Sequence, residues 1–228
     1  MRSTTTTLFV ALCAYPAAAA AQAPAAANWT GWYAGAFAGY ADGKATGDVD
    51  TNTTGQFDDN GFMAGLVGGY RHQTSSNLVI GGELIVPLHI DKGHAVDEVF
   101  FPGQVFYESE GKASVMAGIN VGYATGRLLP YAFANAGFAH VVGKTLNVDA
   151  NDNLVIGAEQ RDSATPFIWQ AGLGLDAQAT KHVVIGGRVG YFHVNQADST
   201  MNWNIPGPNN FGWNAVFGQV TISYRFGH

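Results

Sequence analysis

Three charged residues, Glu83, Asp176 and Arg188, lie inside segments of the sequence that are otherwise apolar or rich in glycine. A charged side chain that leaves water must be paired, and the loss of one partner of a buried pair typically costs about 3–5 kcal/mol. Two kinds of chemistry fit these residue types: a static ion-pair cluster that fills a core, or a set of charges that separates to open a narrow passage. The elements that carry the three residues decide between them.

Histidines near the ends of apolar segments raise the question of a metal site. Side-chain alternation places His89 on one face of its segment and places His140 and His193 on the other, so the three do not converge. The segment "DANDN" at 149–153 resembles the start of a calcium loop, but Leu154 occupies the position of the required glycine. We therefore predict no metal site and no cofactor.

A hydrolase or acyltransferase would need a nucleophile beside a base. The nearest serine to a histidine is Ser75, three residues after His72, and the next candidate is Ser199, six residues after His193. Nothing in the sequence couples either pair. We therefore predict no catalytic residues and a protein that is not an enzyme.

Eight segments of the chain alternate large apolar residues with small or polar ones, which is the period of a β-strand. Each segment has about the 9–11 residues that a tilted membrane strand requires. The predicted strands lie near 30–40, 61–71, 78–88, 114–123, 130–140, 166–177, 183–193 and 213–226.

The connections between these segments alternate strictly between long and short. The long connections are 41–60, 89–113, 141–165 and 194–212, and the short ones are 72–77, 124–129 and 178–182. Long loops on one rim and tight turns on the other are typical of outer-membrane barrels. We predict an all-β fold: an eight-stranded antiparallel up-and-down transmembrane barrel with long extracellular loops and short periplasmic turns.

The large apolar face of each predicted strand must point away from the barrel axis, because eight strands enclose too little space for so many bulky side chains. Outward apolar residues in this quantity require lipid, and Trp32, Tyr40, Tyr70 and Tyr123 fit the aromatic rings at the two membrane surfaces. The opposite face, which carries Glu83, Asp176 and Arg188, then lines a narrow lumen. We expect an internal ion-pair cluster that is structural, with a gate as the weaker alternative.

Charge follows the same division of the chain. Of the 17 acidic residues, fifteen lie in the four predicted long loops, whereas the short-turn rim carries only the bases Arg71, Arg127, Lys181 and Arg225. The formal net charge of the chain is −6, which argues against nucleic acid as a partner.

The first residues have the pattern of a secretion signal: Arg2, an apolar segment at 8–14, and small residues at 19–21. We predict a signal peptide at 1–21, a short linker at 22–28 and the barrel domain at 29–228. Cys13 lies inside the signal, so the mature protein is expected to contain no disulfide.

Five stretches of the sequence resemble the OmpA-like outer-membrane barrels, and most closely the outer-membrane surface antigens (porin-like immunogenic proteins) of alphaproteobacteria. The stretches are "NWTGWYAGAFAGY", "GGELIVPL", "LLPYAFANAGFA", "WQAGLGLDAQATKHVVIGGRVGYF" and the final "ISYRF". The resemblance implies localisation in the bacterial outer membrane. It also implies a non-enzymatic role in envelope integrity and in adhesion or other contact with a host or the environment. A narrow small-solute pore gated by the ion pairs and, more remotely, a lipid A-modifying enzyme are the alternatives.

The same resemblance assigns roles to particular residues. Glu83, Asp176 and Arg188 look like counterparts of the family's internal network, whose lysine on the fourth strand is here replaced by Met116 or Asn120. The implied partners are outer-membrane lipid and lipopolysaccharide, a host or surface ligand, and the barrel assembly machinery, for which Ile222, Tyr224 and Phe226 form the terminal signal.

The acidic loops are the remaining candidate surface. The segment "EVFFPGQVFYE" at 98–108 is expected to form a hairpin that turns at Pro102-Gly103. Such a hairpin would expose an apolar patch of the kind that often marks a partner site. Its candidate contact residues are Phe100, Phe101, Phe106 and Tyr107.

Overall fold

The computed structural model describes residues 28–50, 53–90, 93–96, 105–147, 160–199 and 209–226. Within these ranges the chain forms ten β-strands. No helix among the described residues is both long and apolar enough to span a membrane. The predicted signal peptide and nearly all of the predicted linker lie outside the described residues. The strands are β1 (Gly31–Asp50), β2 (Thr53–Gln73), β3 (Leu78–Ile90), β4 (Gly93–Val96), β5 (Val105–Tyr123), β6 (Leu128–Asn147), β7 (Gln160–Ala164), β8 (Phe167–Gln178), β9 (Val183–Ser199) and β10 (Asn209–Phe226).

Eight of these strands close into a barrel in which every neighbouring pair is antiparallel. The ring runs β5-β3-β2-β1-β10-β9-β8-β6 and returns to β5, so the first and last strands of the chain pair directly. The short strands β4 and β7 pair only with the outer parts of β5 and β6. The predicted eight-stranded up-and-down barrel is confirmed.

Three tight turns connect strands at one rim of the barrel, at 74–77, 124–127 and 179–182. In the second turn, Thr125 and Leu128 exchange backbone hydrogen bonds of 2.8 and 3.2 Å around a two-residue loop. Gly126 occupies the first central position with φ +61, a conformation that costs glycine little. Each of the three connections at this rim is therefore a turn of only four residues.

The strands run much further at the opposite rim than the alternation of apolar residues predicts. The ladder between β1 and β2 continues from the predicted strand ends to Asp48↔Thr54, across the predicted loop 41–60. The ladder between β5 and β6 likewise reaches Val105↔Asn147. Backbone hydrogen bonds hold a ladder together without apolar side chains, so strands continue where the sequence pattern has already become polar.

The outer surface of the barrel carries the large apolar side chains, as predicted. Two rings of exposed aromatic residues border this apolar band, which is the arrangement of an outer-membrane barrel. The turn-side aromatic ring consists of Trp32, Tyr70, Tyr123, Tyr224 and Phe226. The loop-side aromatic ring consists of Tyr40, Phe62, Phe138, Phe167 and Tyr191.

The lumen differs from the expectation that its wall carries mostly small or polar side chains. Seven aromatic side chains from four strands point inward and are buried together with the charged residues: Tyr33, Phe37, Tyr131, Phe133, Phe192, Trp213 and Phe217. These rings fit because glycines on neighbouring strands leave space for them. The barrel interior is therefore a packed core.

Candidate functional site in the barrel lumen

Glu83 and Arg188 form a bidentate ion pair across the barrel axis. The two guanidinium nitrogens of Arg188 donate to the two carboxylate oxygens of Glu83 at 2.8 and 2.7 Å. Glu83 lies on β3 and Arg188 on β9, four strands apart in the ring of eight, so the pair spans the full width of the lumen. The Glu83 side chain has no solvent exposure and that of Arg188 has 3 %.

Three neutral donors complete the coordination of the Glu83 carboxylate. Asn135 donates to Oε1 at 3.0 Å, while Tyr33 and Asn120 donate to Oε2 at 3.1 and 3.2 Å. With the two bonds from Arg188, the carboxylate accepts five hydrogen bonds. A buried charge with this many partners is held in one position, because any movement of the carboxylate breaks several charge-assisted bonds at once.

Asp176 pairs with Arg71, a residue that the sequence analysis placed on the turn rim. The Nη1 atom of Arg71 donates to Oδ2 of Asp176 at 2.7 Å, and both side chains are 6 % exposed. Arg71 on β2 and Asp176 on β8 are again four strands apart. The placement of Arg71 on the rim was wrong: Tyr70 points outward, so its neighbour on the strand points into the lumen.

Tyr131 joins the two ion pairs into one cluster. Its hydroxyl accepts a 2.7 Å hydrogen bond from Nε of Arg188 and donates to Oδ1 of Asp176 at 3.3 Å. Asp176 and Arg188, which lie on adjacent strands, therefore meet through this hydroxyl while each forms its ion pair with a more distant strand. We call Arg71, Glu83, Asp176, Arg188 and Tyr131 the lumenal cluster.

Aromatic rings cover the two guanidinium groups. Arg71 lies between Tyr33 and Tyr131, at 4.8 and 5.1 Å from the ring centroids. Arg188 lies between Tyr131 and Phe133, at 5.4 and 5.1 Å. Such cation–π contacts gain strength when the cation is shielded from water. Aromatic rings and guanidinium groups thus alternate across the lumen. The two acids and the two arginines of the cluster balance each other in charge.

The resemblance to OmpA-like networks accounts for only part of this arrangement. Asn120, on the strand where the family carries its lysine, donates to Glu83, and Met116 is buried without a charge. The second base comes from Arg71 on a different strand. Strict alternation from Tyr70 was the signal that would have identified it in the sequence.

Five lumenal rings each lie against a glycine directly opposite on the neighbouring strand. An aromatic ring packed over a cross-strand glycine fills the space that a Cβ would take. At four of the five pairs, a Cβ built on the glycine would lie 2.7–3.0 Å from the ring, and at Gly174 it would overlap Tyr131. The pairs are Tyr33–Gly69, Phe37–Gly65, Tyr131–Gly174, Phe133–Gly172 and Phe217–Gly190.

We expect Gly174→Ala to lower the free energy of unfolding by about 1–3 kcal/mol, because the added methyl group overpacks the lumen and displaces Tyr131. Urea unfolding of the refolded protein in detergent micelles, followed by tryptophan fluorescence, measures the change. Gly187→Ala is the matched control. Gly187 lies on the outward face of β9, where an added Cβ has its nearest neighbour at 3.9 Å. The stability of the Gly187→Ala variant should therefore not fall. Equal losses in the two variants would contradict this account of the packing.

Trp29 closes the lumen at the turn side. Its side chain is 1 % exposed, and its indole ring lies 6.0 Å from the guanidinium of Arg71 and 5.7 Å from that of Arg225. The backbone nitrogen of Trp29 donates to the side chain of Gln73 at 2.8 Å, and Arg225 donates to the backbone oxygens of Asn28 and Thr30. Arg225, like Arg71, was expected on the rim and instead points inward between Tyr224 and Phe226. The residues before the first strand are thereby tied to the last strand.

The structure describes the predicted assembly signal fully and the predicted surface patch only in part. Ile222, Tyr224 and Phe226 are exposed on the outer face at the end of β10. Phe100 and Phe101 lie outside the described residues, as does the predicted turn at Pro102-Gly103. The backbone of Phe106 and Tyr107 belongs to β5 and pairs with β4, but their side chains lie outside the described part of the structure.

The structure describes the side chains of two of the three histidines that were considered as metal ligands. His140 on β6 and His193 on β9 both lie on the outer face, whereas the side chain of His89 is outside the described part. Among the described residues, no three His, Cys, Asp or Glu side chains are grouped as a metal site would require.

A closed barrel with an apolar belt, two aromatic rings and a filled, charge-paired lumen defines a small membrane-spanning barrel of the bacterial outer membrane. The chain belongs to the outer membrane protein beta-barrel domain family, whose model matches residues 9–226. The long connections are therefore extracellular and the tight turns periplasmic.

Solved structures similar to this chain are also outer-membrane proteins. Neisserial surface protein A has 14% identity and a TM-score of 0.40, with 86% of this chain and 98% of that chain covered. The outer membrane protease OmpT from Escherichia coli has 8% identity and a TM-score of 0.51, with 86% and 97% covered. Ail, the attachment invasion locus protein of Yersinia pestis, has 13% identity and a TM-score of 0.36, with 86% and 99% covered. A comparison with curated proteins gives no match. At these identities the likeness concerns the fold.

Proposed function

We propose that the protein is a non-enzymatic barrel that supports the envelope and presents an extracellular surface for contact with a host or the environment. The observation that carries this proposal is the length of the strands outside the membrane. β1 ends at Asp50, ten residues beyond Tyr40 of the loop-side aromatic ring. At 3.3 Å per residue and the usual tilt, these residues reach roughly 25 Å above that ring.

Paired strands of this length form a scaffold for the loops at their tips. β1 and β2 remain hydrogen-bonded to each other to within a few residues of their connection, and β5 and β6 extend to a similar height. A barrel needed only to span the membrane would end its strands near the aromatic ring. The hydrogen-bonded extensions of these strands support the proposal that the extracellular part is an ordered binding surface and that the protein functions through it.

The charge of this surface sets the kind of partner it favours. The extensions of β1 and β2 include Asp42, Asp48, Asp50, Asp58 and Asp59, with Lys44 as the base among them. An acidic surface above phosphorylated lipid favours basic partners, and it favours divalent cations that neutralise both the carboxylates and the lipid phosphates. We therefore expect the host or surface ligand to carry a basic face.

The lumenal cluster supports a structural role over a solute pore. Both ion pairs cross the barrel axis, so a passage requires both to separate. Separation of a buried pair without new partners costs about 3–5 kcal/mol, and the two together would leave an open fraction below about one in ten thousand. The charges are better understood as part of the core than as a gate.

Deletion of residues 98–108 is expected to reduce adherence of bacteria that produce the protein to an epithelial monolayer by at least about tenfold, since a contact patch that contributes 1.4 kcal/mol or more would be removed. Adherent bacteria are counted after washing, and surface levels of both proteins are matched by antibody labelling. The segment contains Phe100, Phe101, Phe106 and Tyr107, the candidate contact residues.

Deletion of residues 149–159 controls for the loss of eleven residues from another extracellular connection, although the 98–108 deletion also removes the first four residues of β5. Replacement of the four aromatic residues by serine keeps the length of the segment and tests their side chains directly. Unimpaired adherence of both the 98–108 deletion and the serine variant would reject the assignment of this segment.

A further inference from the structure

A row of polar and aromatic side chains crosses the outer face of the barrel at its extracellular edge. His193 on β9 lies opposite Trp169 on β8 and opposite Asn214 on β10. Asn214 in turn lies opposite Lys44 on β1, whose side chain is exposed. The row therefore places an imidazole, an amide and an ammonium group side by side on one surface.

Hydrogen bonds hold the middle of this row in a defined orientation. The side-chain oxygen of Asn214 accepts a 2.7 Å hydrogen bond from the hydroxyl of Tyr191 and lies 2.5 Å from Nδ1 of His193. The imidazole packs against Trp169, with 5.5 Å between ring centroids, and Trp169 lies 5.7 Å from Tyr191. With its oxygen engaged, Asn214 directs its NH₂ group away from these partners, and His193 keeps Nε2 free among the described residues.

The position of the row identifies its surroundings. Tyr191 belongs to the loop-side aromatic ring, which marks the border between hydrocarbon and head groups. An amide and an imidazole that face hydrocarbon without partners would be costly. One step beyond the aromatic ring, however, the wall faces the head groups of the outer leaflet, whose lipid A carries phosphate.

We propose that His193, Asn214 and Lys44 form a binding site for a phosphate group of lipid A on the outer wall of the barrel. The amide NH₂ of Asn214 and the ammonium of Lys44 donate to the phosphate oxygens. His193 lies with Nδ1 on the side-chain oxygen of Asn214 and turns Nε2 toward the phosphate, to which it donates when both ring nitrogens carry a proton. Trp169 and Tyr191 support the lipid below its head group, where their amphipathic rings match the interface.

Neighbouring acids limit where the phosphate binds. Asp42 lies on the same face of β1 two residues from Lys44, and Asp58 on β2 is opposite Lys44 in the ladder. The exposed carboxylate of Asp42 repels a phosphate group, so the centre of the site lies toward β9 and β10. The site depends on the outer-membrane location of the barrel and is independent of any adhesive role of the loops.

The test measures binding of diphosphorylated lipid A to the full-length refolded protein by native mass spectrometry from detergent micelles. His193→Ala and Lys44→Glu are each expected to weaken binding by about tenfold, because each removes a charge-assisted hydrogen bond. His140→Ala, which removes an exposed outer-face histidine on β6, is the matched control and should bind as the unmodified protein does. Heat-modifiable gel mobility verifies that each variant is folded, and Lys44 lies on an exposed strand extension where a substitution leaves the core intact.

Two further arms identify the source of the phosphate. Lipid A from which the phosphates have been removed should bind about tenfold more weakly than the diphosphorylated form, and inorganic phosphate at millimolar concentration should not displace the lipid. Wild-type affinity in both variants, or equal binding of the two lipids, would overturn the proposal. Displacement by inorganic phosphate would also overturn it, since the groups would then form a general anion site.

Discussion

Replacement of Glu83 by alanine is expected to lower the free energy of unfolding by about 3–5 kcal/mol, the usual consequence of leaving a buried charge without its partner. Arg188 would lose both of its ion-pair contacts, and the donors Tyr33, Asn120 and Asn135 would lose their acceptor. Urea unfolding in detergent micelles, followed by tryptophan fluorescence, measures the effect.

Two control variants separate the loss of the pair from the loss of an acid. Asp42→Asn removes an exposed acid and should change stability by less than about 0.5 kcal/mol, as surface substitutions usually do. The double variant Glu83→Gln/Arg188→Met removes both charges and should recover much of the loss, because no unpaired charge remains in the lumen. If Glu83→Ala is as stable as the unmodified protein, the cluster does not hold the barrel together.

The same variant also tests the lumen as a passage. Planar-bilayer recordings of the unmodified protein should show a closed trace, and Glu83→Ala should remain closed because the aromatic side chains of the lumen still fill it. Steady conductance in Glu83→Ala together with a closed parent would favour a gate over a structural cluster.

Replacement of Trp29 by alanine should cost about 3–5 kcal/mol, the range for truncation of a buried tryptophan. The indole fills the periplasmic end of the lumen and lies against Arg71 and Arg225, so its removal leaves a cavity beneath two cations. Far-ultraviolet circular dichroism during urea unfolding reports the change without depending on tryptophan emission.

Trp32→Ala provides the comparison for the same residue type three positions along the chain. Trp32 is 64% exposed on the outer face, so its loss removes lipid contacts and leaves no cavity in the core. Its cost should be clearly smaller than that of Trp29→Ala. Equal costs would show that Trp29 contributes only as another interfacial aromatic residue.

The membrane-spanning part of the fold could be predicted from the sequence because each strand there meets lipid on one side and a core on the other. This contrast forces strict alternation, as in the segment around Leu84, Glu83 and Gly82. The closed ring then follows from the eight strands and the rhythm of their connections. The inward direction of Glu83, Asp176 and Arg188 could be read from the same alternation.

The strand extensions could not be predicted in this way, because above the membrane the outer face of a strand no longer meets lipid and the apolar alternation disappears. The partner of Asp176 was missed for a different reason: Arg71 lies next to a turn, where a base resembles a solvated rim residue. The packing of lumenal aromatic rings against glycines could not be predicted either, because it depends on the register between neighbouring strands. The sequence contains both residues of each pair, such as Tyr131 and Gly174, but not the ladder that aligns them.

The two ion pairs carry a consequence for how the barrel is assembled. Each of them joins residues 105 positions apart in the chain, and each hairpin, β2–β3 and β8–β9, supplies one acid and one base. In each hairpin alone the lumenal acid and base balance in charge, but neither has the ion-pair partner that it has in the closed barrel. The four charged side chains form their ion pairs only when the early hairpin meets the late one. A partly completed sheet lacks this stabilisation, so the free energy of both ion pairs is gained together when the barrel closes.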